Sequence, residues 1–154
     1  MTHEVAVQVA CQEDDLPDPA KLRTWARAAV GKQREYAELT IRVVDEGEIS
    51  ELNERYRKRS GVTNVLSFPF DAPEEVDIPL LGDIVICAPV VRREAGEQSK
   101  NVDAHWAHMV VHGTLHLLGF NHEKPSEARE MEAIETRILA DLGFDNPYEP
   151  QATS

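Results

Sequence analysis

The chain is poor in the features that mark membrane, secreted and disulfide-bonded proteins. Among its 154 residues no apolar run approaches the roughly 20 that a bilayer span needs. The start, MTHEVAVQVACQEDD, has neither the basic segment nor the long apolar core of a secretory leader, so a cytoplasmic location is expected. There are two cysteines, Cys11 and Cys87, far apart and without a CxxC or CxxH neighbour. Each lies in an apolar, strand-like run, which predicts free thiols rather than a disulfide or a metal site. Positive charge is scarce: 16 Lys and Arg stand against 28 Asp and Glu, a formal net charge of −12. That balance excludes broad electrostatic attachment to nucleic acid but leaves room for a local basic patch. No repeat and no low-complexity linker is visible. The length fits one domain, 1–154, with a loose tail expected from about 146.

Periodicity supplies the elements. Glu4 to Ala10 alternates as a strand. Asp18 and Pro19 open a helix whose inward face is Leu22, Trp25, Ala26 and Ala29, and Gly31 ends it. AELTIRVVD is a second strand. Asp45 with Glu48 resembles a capping box, and Ile49, Leu52 and Tyr56 form the apolar face of the next helix. TNVLSFPF is a third strand near a sheet edge, because of Pro69. DAPEEVDIP is an acidic loop, LGDIVICAPVV a fourth strand, and RREAGEQSKN a polar stretch that starts as helix. Val102 to Leu118 is a long helix that packs through Trp106, Met109, Val110, Gly113 and Leu117. A last helix presents Met131, Ile134, Ile138 and Leu142 and stops at Gly143. Strands and helices do not alternate strictly. One α+β domain is expected, with a mixed sheet of about four strands and a metal site at the end of a central helix.

The metal expectation comes from HGTLHLLGFNH, His112 to His122. Residues four apart on a helix lie about 40° apart on one face, so His112 and His116 can share an ion. Gly119 stops the helix and lets the chain bring His122 back. Three imidazole nitrogens and an open position make the donor set of a catalytic zinc ion, and imidazole also suits other divalent transition metals. A structural zinc usually has four protein ligands, commonly including cysteine, and no cysteine is near. Zinc proteases with similar spacing begin H-E-x-x-H, with the glutamate as base. Gly113 stands in its place, which disfavours that chemistry. His105 and His108 continue the stripe, and His108 is open to reading as a fourth ligand, a partner of a ligand, or a polar residue beside the cleft.

These residues resemble the YbeY endoribonucleases, also described as rRNA maturation factors. HGTLHLLGFNH is close to that family's H-G-x-L-H-L-x-G-[YF]-D-H signature. LNERYRKRSGVTNVLSFPF is similar to its L-N-x-x-Y-R…T-[DN]-V-L-S-F-P-F segment, and LGDIVI, HWAHMVVHG and MEAIETRILADLGFDNPY also fit. The resemblance implies a zinc-dependent endoribonuclease specific for single strands. It implies work in small-subunit rRNA 3′ end maturation and ribosome quality control, with rRNA, the small subunit and its assembly proteins as partners. Neither a membrane nor DNA is expected as a partner. It carries the metal ligands to His112, His116 and His122, and the catalytic arginine to Arg57. Asn121 departs from the pattern, where the family usually has Asp.

Arg57 belongs to a run of four cations in five residues, with Arg55, Lys58 and Arg59. Its planar, permanently charged guanidinium suits developing charge on a phosphate. Without the resemblance, the run reads as a solvated helix end. Arg92 and Arg93 are candidates to extend the patch, and Asn64 and Ser67 to line the cleft. Water or the RNA 2′-hydroxyl can serve as nucleophile. Two alternatives stand beside the nuclease: a zinc-stabilised, non-catalytic ribosome-assembly factor, and a metalloprotease whose base lies outside the motif.

Overall fold

Four strands make a single mixed sheet, and helices cover both of its faces. The computed structural model describes residues 2–70 and 78–148. In chain order the elements are β1 (Thr2–Val9), α1 (Pro19–Val30), β2 (Tyr36–Val44), α2 (Glu46–Arg57), β3 (Val65–Pro69), β4 (Leu80–Cys87), α3 (Ala88–Glu97), α4 (Val102–Leu117) and α5 (Pro125–Asp141). A 3₁₀ turn, Gly31–Gln33, follows α1. The strand order is β1-β2-β4-β3. β1, β2 and β4 run parallel, and β3 pairs antiparallel with β4 at the edge. The α+β class and the mixed four-stranded sheet are as expected.

The two faces follow from the side-chain pattern. Ala37, Leu39, Ile41 and Val43 alternate inward from β2 and join α1, α4 and α5 in the larger core. The smaller core lies on the other face, where Ile49 of α2 and Val90 of α3 cover Val85, Cys87 and Leu66. β4 is buried without alternation from Ile84 to Cys87, as befits an inner strand covered on both sides. Cys87 is buried and Cys11 half-buried, both as free thiols.

Helix ends decide several details. Asp18 accepts from the Ala20 amide at 2.8 Å and Pro19 occupies the first position of α1. Asp45 caps α2 by accepting from the Glu48 amide at 3.0 Å. The expected capping box is only half made, because the Glu48 carboxylate takes Arg42 instead, at 2.5 and 3.0 Å. Pro89 turns Ala88–Val91 into the first turn of α3, so the fourth strand is shorter than LGDIVICAPVV suggested.

Two helical faces differ from expectation. On α2 the buried residues are Ile49 and Asn53, four apart, and Tyr56 is 59% exposed. On α5 they are Met131, Glu135 and Leu139, with Ile134, Ile138 and Leu142 at the margin. A carboxylate therefore occupies the centre of an apolar stripe. The acidic loop expected after Phe70 falls largely on 71–77, outside the described residues. The tail expected to be loose falls mostly on 149–154, also outside them, while Tyr148 is docked by its hydroxyl on Glu135. Among the described residues no helix is long and apolar enough to cross a membrane.

Candidate metal centre

α4 delivers the first two histidines. From His105 to Leu117 every residue of this helix is buried except His112 and His116. The helix is enclosed by α1, α3, α5 and the sheet, and over this stretch only those two imidazoles reach solvent. Such close packing needs Gly113. A Cβ there would lie 2.8 Å from Ile84 Cγ2 and 3.3 Å from Ser67 Oγ. Even a methyl group there would have to displace Ile84, so the glutamate of a zinc protease is disfavoured by space as well as by sequence.

The turn that returns His122 is built from backbone hydrogen bonds. Gly119 has φ +104°, in the region that favours glycine. The Phe120 amide donates to Leu115 O and the Gly119 amide to His116 O, both at 3.1 Å. This pairing is a Schellman stop, with Phe120 packed against the core. Asn121 accepts from the Glu123 amide at 3.4 Å, which puts His122 inside a small Asx turn. That is the contact Asn121 makes in this chain.

The three rings converge. Their centroids lie 4.6 Å apart for His112 and His116, 5.0 Å for His116 and His122, and 5.7 Å for His112 and His122. One nitrogen from each ring falls within 4.8 Å of the others. Nε2 of His112 and Nε2 of His116 stand 3.1 Å apart. Two nitrogens at 2.0–2.1 Å from a tetrahedral ion are separated by about 3.3 Å, so the donor set fits a divalent transition metal. Burial, then the neighbouring His112 and His122, lower the pKa of His116 to about 4. His116 is thus a neutral donor at ordinary pH.

A carboxylate that periodicity did not single out sits behind these histidines. Glu135 of α5 is fully buried. It is 3.1 Å from His112 Nδ1 and 3.0 Å from His108 Nε2, and it accepts the Tyr148 hydroxyl. Burial pushes its pKa up, but the hydrogen bonds from His108, His112 and Tyr148 outweigh this and hold it at about 2. Burial, then the Glu135 carboxylate, raises the Tyr148 pKa, so the phenol keeps its proton. An ionised carboxylate only accepts hydrogen bonds. Nδ1 of His112 therefore carries the proton, and Nε2 presents its lone pair to the cluster. His108, His112 and Glu135 also have chelating spacing, but here their facing atoms are joined as donor and acceptor. His108 is thus a partner of Glu135.

The remaining candidates separate into two kinds. Arg57, at the C-terminal end of α2, donates to the Ser67 carbonyl on the edge strand and lies 5.4 Å from the Phe68 ring centroid. Ser67 Oγ in turn donates to the Gly113 carbonyl at 3.0 Å, beside His112. Two hydrogen bonds thus tie the arginine to α4. Asn64 is occupied by Glu94, at 3.0 Å. Arg92 pairs with Glu13 at 3.1 Å and Arg93 with Glu46 at 3.8 Å, so neither extends the basic patch. Ser67 and Asn64 act as structural ties. The missed residue is Glu135, and its signal lay in the sequence: it falls midway between Met131 and Leu139 at intervals of four.

Comparison with known proteins bears on the fold and the family. The solution structure of TM1509 from Thermotoga maritima matches with a TM-score of 0.58 at 22% identity. The match covers 93% of this chain and 99% of that one, and it shows a common fold. The family model described as Endoribonuclease YbeY matches residues 8–143, nearly the whole chain. The protein belongs to the YbeY endoribonuclease family.

Proposed function

We propose that the chain, as one domain over 1–154, is a metal-dependent endoribonuclease that cuts single-stranded RNA. We place it in the cytoplasm, in small-subunit rRNA 3′ end maturation and ribosome quality control, with zinc as its ion. The observation that carries this reading is the convergence of His112, His116 and His122 around one point, with His112 locked in a donor tautomer by Glu135.

The residues divide the work. The three histidines hold the ion. A bound zinc ion supplies Lewis acidity toward a phosphoryl oxygen and toward water. Glu135 keeps the proton on the outer nitrogen of His112, which leaves the inner one free to ligate. Arg57 binds the phosphate. Phosphodiester cleavage builds negative charge on the non-bridging oxygens, and a guanidinium answers it with paired N–H donors at any physiological pH. Its tether to Ser67 takes up one of five N–H groups and fixes where the rest stand relative to His112. The short basic run around Arg57 supplies the local positive field that an acidic protein needs in order to meet RNA.

The test is cleavage of a single-stranded RNA by the wild type, His116→Ala and Arg57→Ala, with metal content measured on each. Both variants are expected to lose cleavage. His116→Ala should also lose the ion, whereas Arg57→Ala keeps it. Equal nuclease activity in all three would mark a contaminant and remove the enzyme reading.

A further inference from the structure

We propose that Tyr56 is a stacking platform for one unpaired base of the bound strand, with Phe68 as its support. This rests on the single-stranded RNA reading and adds to it a reason for strand selectivity. Spacing alone puts Tyr56 on the inward face of α2, yet it is 59% exposed. It is not loose: the Phe68 ring meets it edge-on, with centroids 5.6 Å apart and planes at 74°. Phe68 is itself half-buried against the smaller core, so a fixed wall backs the tyrosine. The Arg55 guanidinium lies 6.0 Å from the Tyr56 centroid, at the outer limit of a cation–π contact, and is paired with Glu51 at 3.1 Å.

The surroundings match an RNA strand. From Arg55 to Phe70 there are four cations and no acidic residue, in a protein of net charge −12. Lys58 lies in the left-handed region, φ +54°, and ends α2 directly after Arg57. Lys58 and Arg59 are exposed, and neither has an ion-pair partner among the described residues. Phe70, the residue after β3, is also exposed, at 48%. Cations for phosphates beside an open aromatic ring are what a single strand requires, and every base has a π-face, so sequence matters little. A base inside a duplex has both faces covered by its neighbours and cannot reach the ring. The platform thus selects unpaired RNA without reading its sequence.

The experiment uses the metal-loaded protein and a labelled single-stranded oligomer with a 2′-O-methyl, phosphorothioate backbone, which resists cleavage. A matching oligomer carries abasic sites. Fluorescence anisotropy gives the affinities. Tyr56→Ala and Tyr56→Leu are expected to bind the base-bearing oligomer about tenfold more weakly, while Tyr56→Phe stays within about twofold. All forms should bind the abasic oligomer alike. The leucine keeps apolar cover over Phe68 without a π-face, so it separates stacking from packing. Wild-type affinity in Tyr56→Leu would overturn the platform and leave the nuclease reading standing. No binding of either oligomer by the wild type would overturn both.

Discussion

Glu135 Oε2 and His112 Nδ1 stand 3.1 Å apart, and the carboxylate is wholly buried. One helix holds the histidine and another holds the group that fixes its tautomer, so α5 shares in building the site. Glu135→Gln keeps the volume and removes the charge, and its amide can present either end to His112. Loss of such a partner typically costs 10- to 100-fold in metal affinity. Competition against a chromophoric chelator should show a weakening of about that size. An affinity equal to wild type would mean that His112 finds its ligating tautomer without the carboxylate.

Metal removal should be visible in stability as well as in activity. An ion that binds the folded state stabilises it by about 2.7 kcal/mol at a hundredfold excess over Kd. For a chain of this size, that corresponds to roughly 5–10 °C in melting temperature. Adding chelator should lower the wild-type melting temperature by about that amount and leave His116→Ala unmoved. A wild type that melts identically with and without chelator would argue against an ion at this site.

Gly113 makes a prediction about space. Ile84 Cγ2 is the branch methyl of a stiff, fully buried side chain and cannot swing away from an added Cβ at 2.8 Å. Overpacking of this kind costs about 1–3 kcal/mol, and the helix preference of alanine offsets roughly 1 of it. Gly113→Ala should therefore lower the free energy of unfolding by up to about 2 kcal/mol, without changing the three histidines. Gly113→Glu, which writes H-E-x-x-H into the helix, should fail to fold and so give no protease. A stable, folded Gly113→Glu would show that α4 can move away from β4.

Much of this arrangement was legible before any coordinates, and the gaps have physical causes. The convergence of the three histidines was legible because helical spacing and a stop glycine are local: His112, His116, Gly119 and His122 need no distant partner to be read. The strands and their edge were legible through alternation and Pro69. What was not legible depended on contacts between distant elements. Tyr56 looked like a core residue because period alone cannot say which flank of a helix meets the sheet. Glu135 was passed over: its place between Met131 and Leu139 marks it as buried, but its donors, His108, His112 and Tyr148, come from other parts of the chain. Arg92 and Arg93 looked like free cations until Glu13 and Glu46 came beside them.

His105 lies about two helical turns before His112 on the same stripe and carries a pH prediction of its own. It is 3% exposed, with Nε2 at 2.9 Å from Glu94 and a buried Nδ1 that has no partner among the described residues. Protonation would place an N–H at Nδ1 in dry surroundings. Burial lowers the pKa of this ring, helped by Lys100 and His108, and Glu94 opposes the shift without reversing it. The unfolded chain takes up a proton near the ordinary value of 6.5, where the folded one still resists. Below that pH the unfolded state binds more protons, so the stability linked to His105 is present above about 6.5 and drains away as pH falls. In metal-free protein the urea midpoint should drop between pH 7 and pH 5. It should drop less in His105→Gln, whose amide can still donate to Glu94 but does not titrate. The other histidines are common to both proteins, so the difference between the two slopes isolates His105. Equal slopes would mean that Glu94 holds the imidazolium as well as water does.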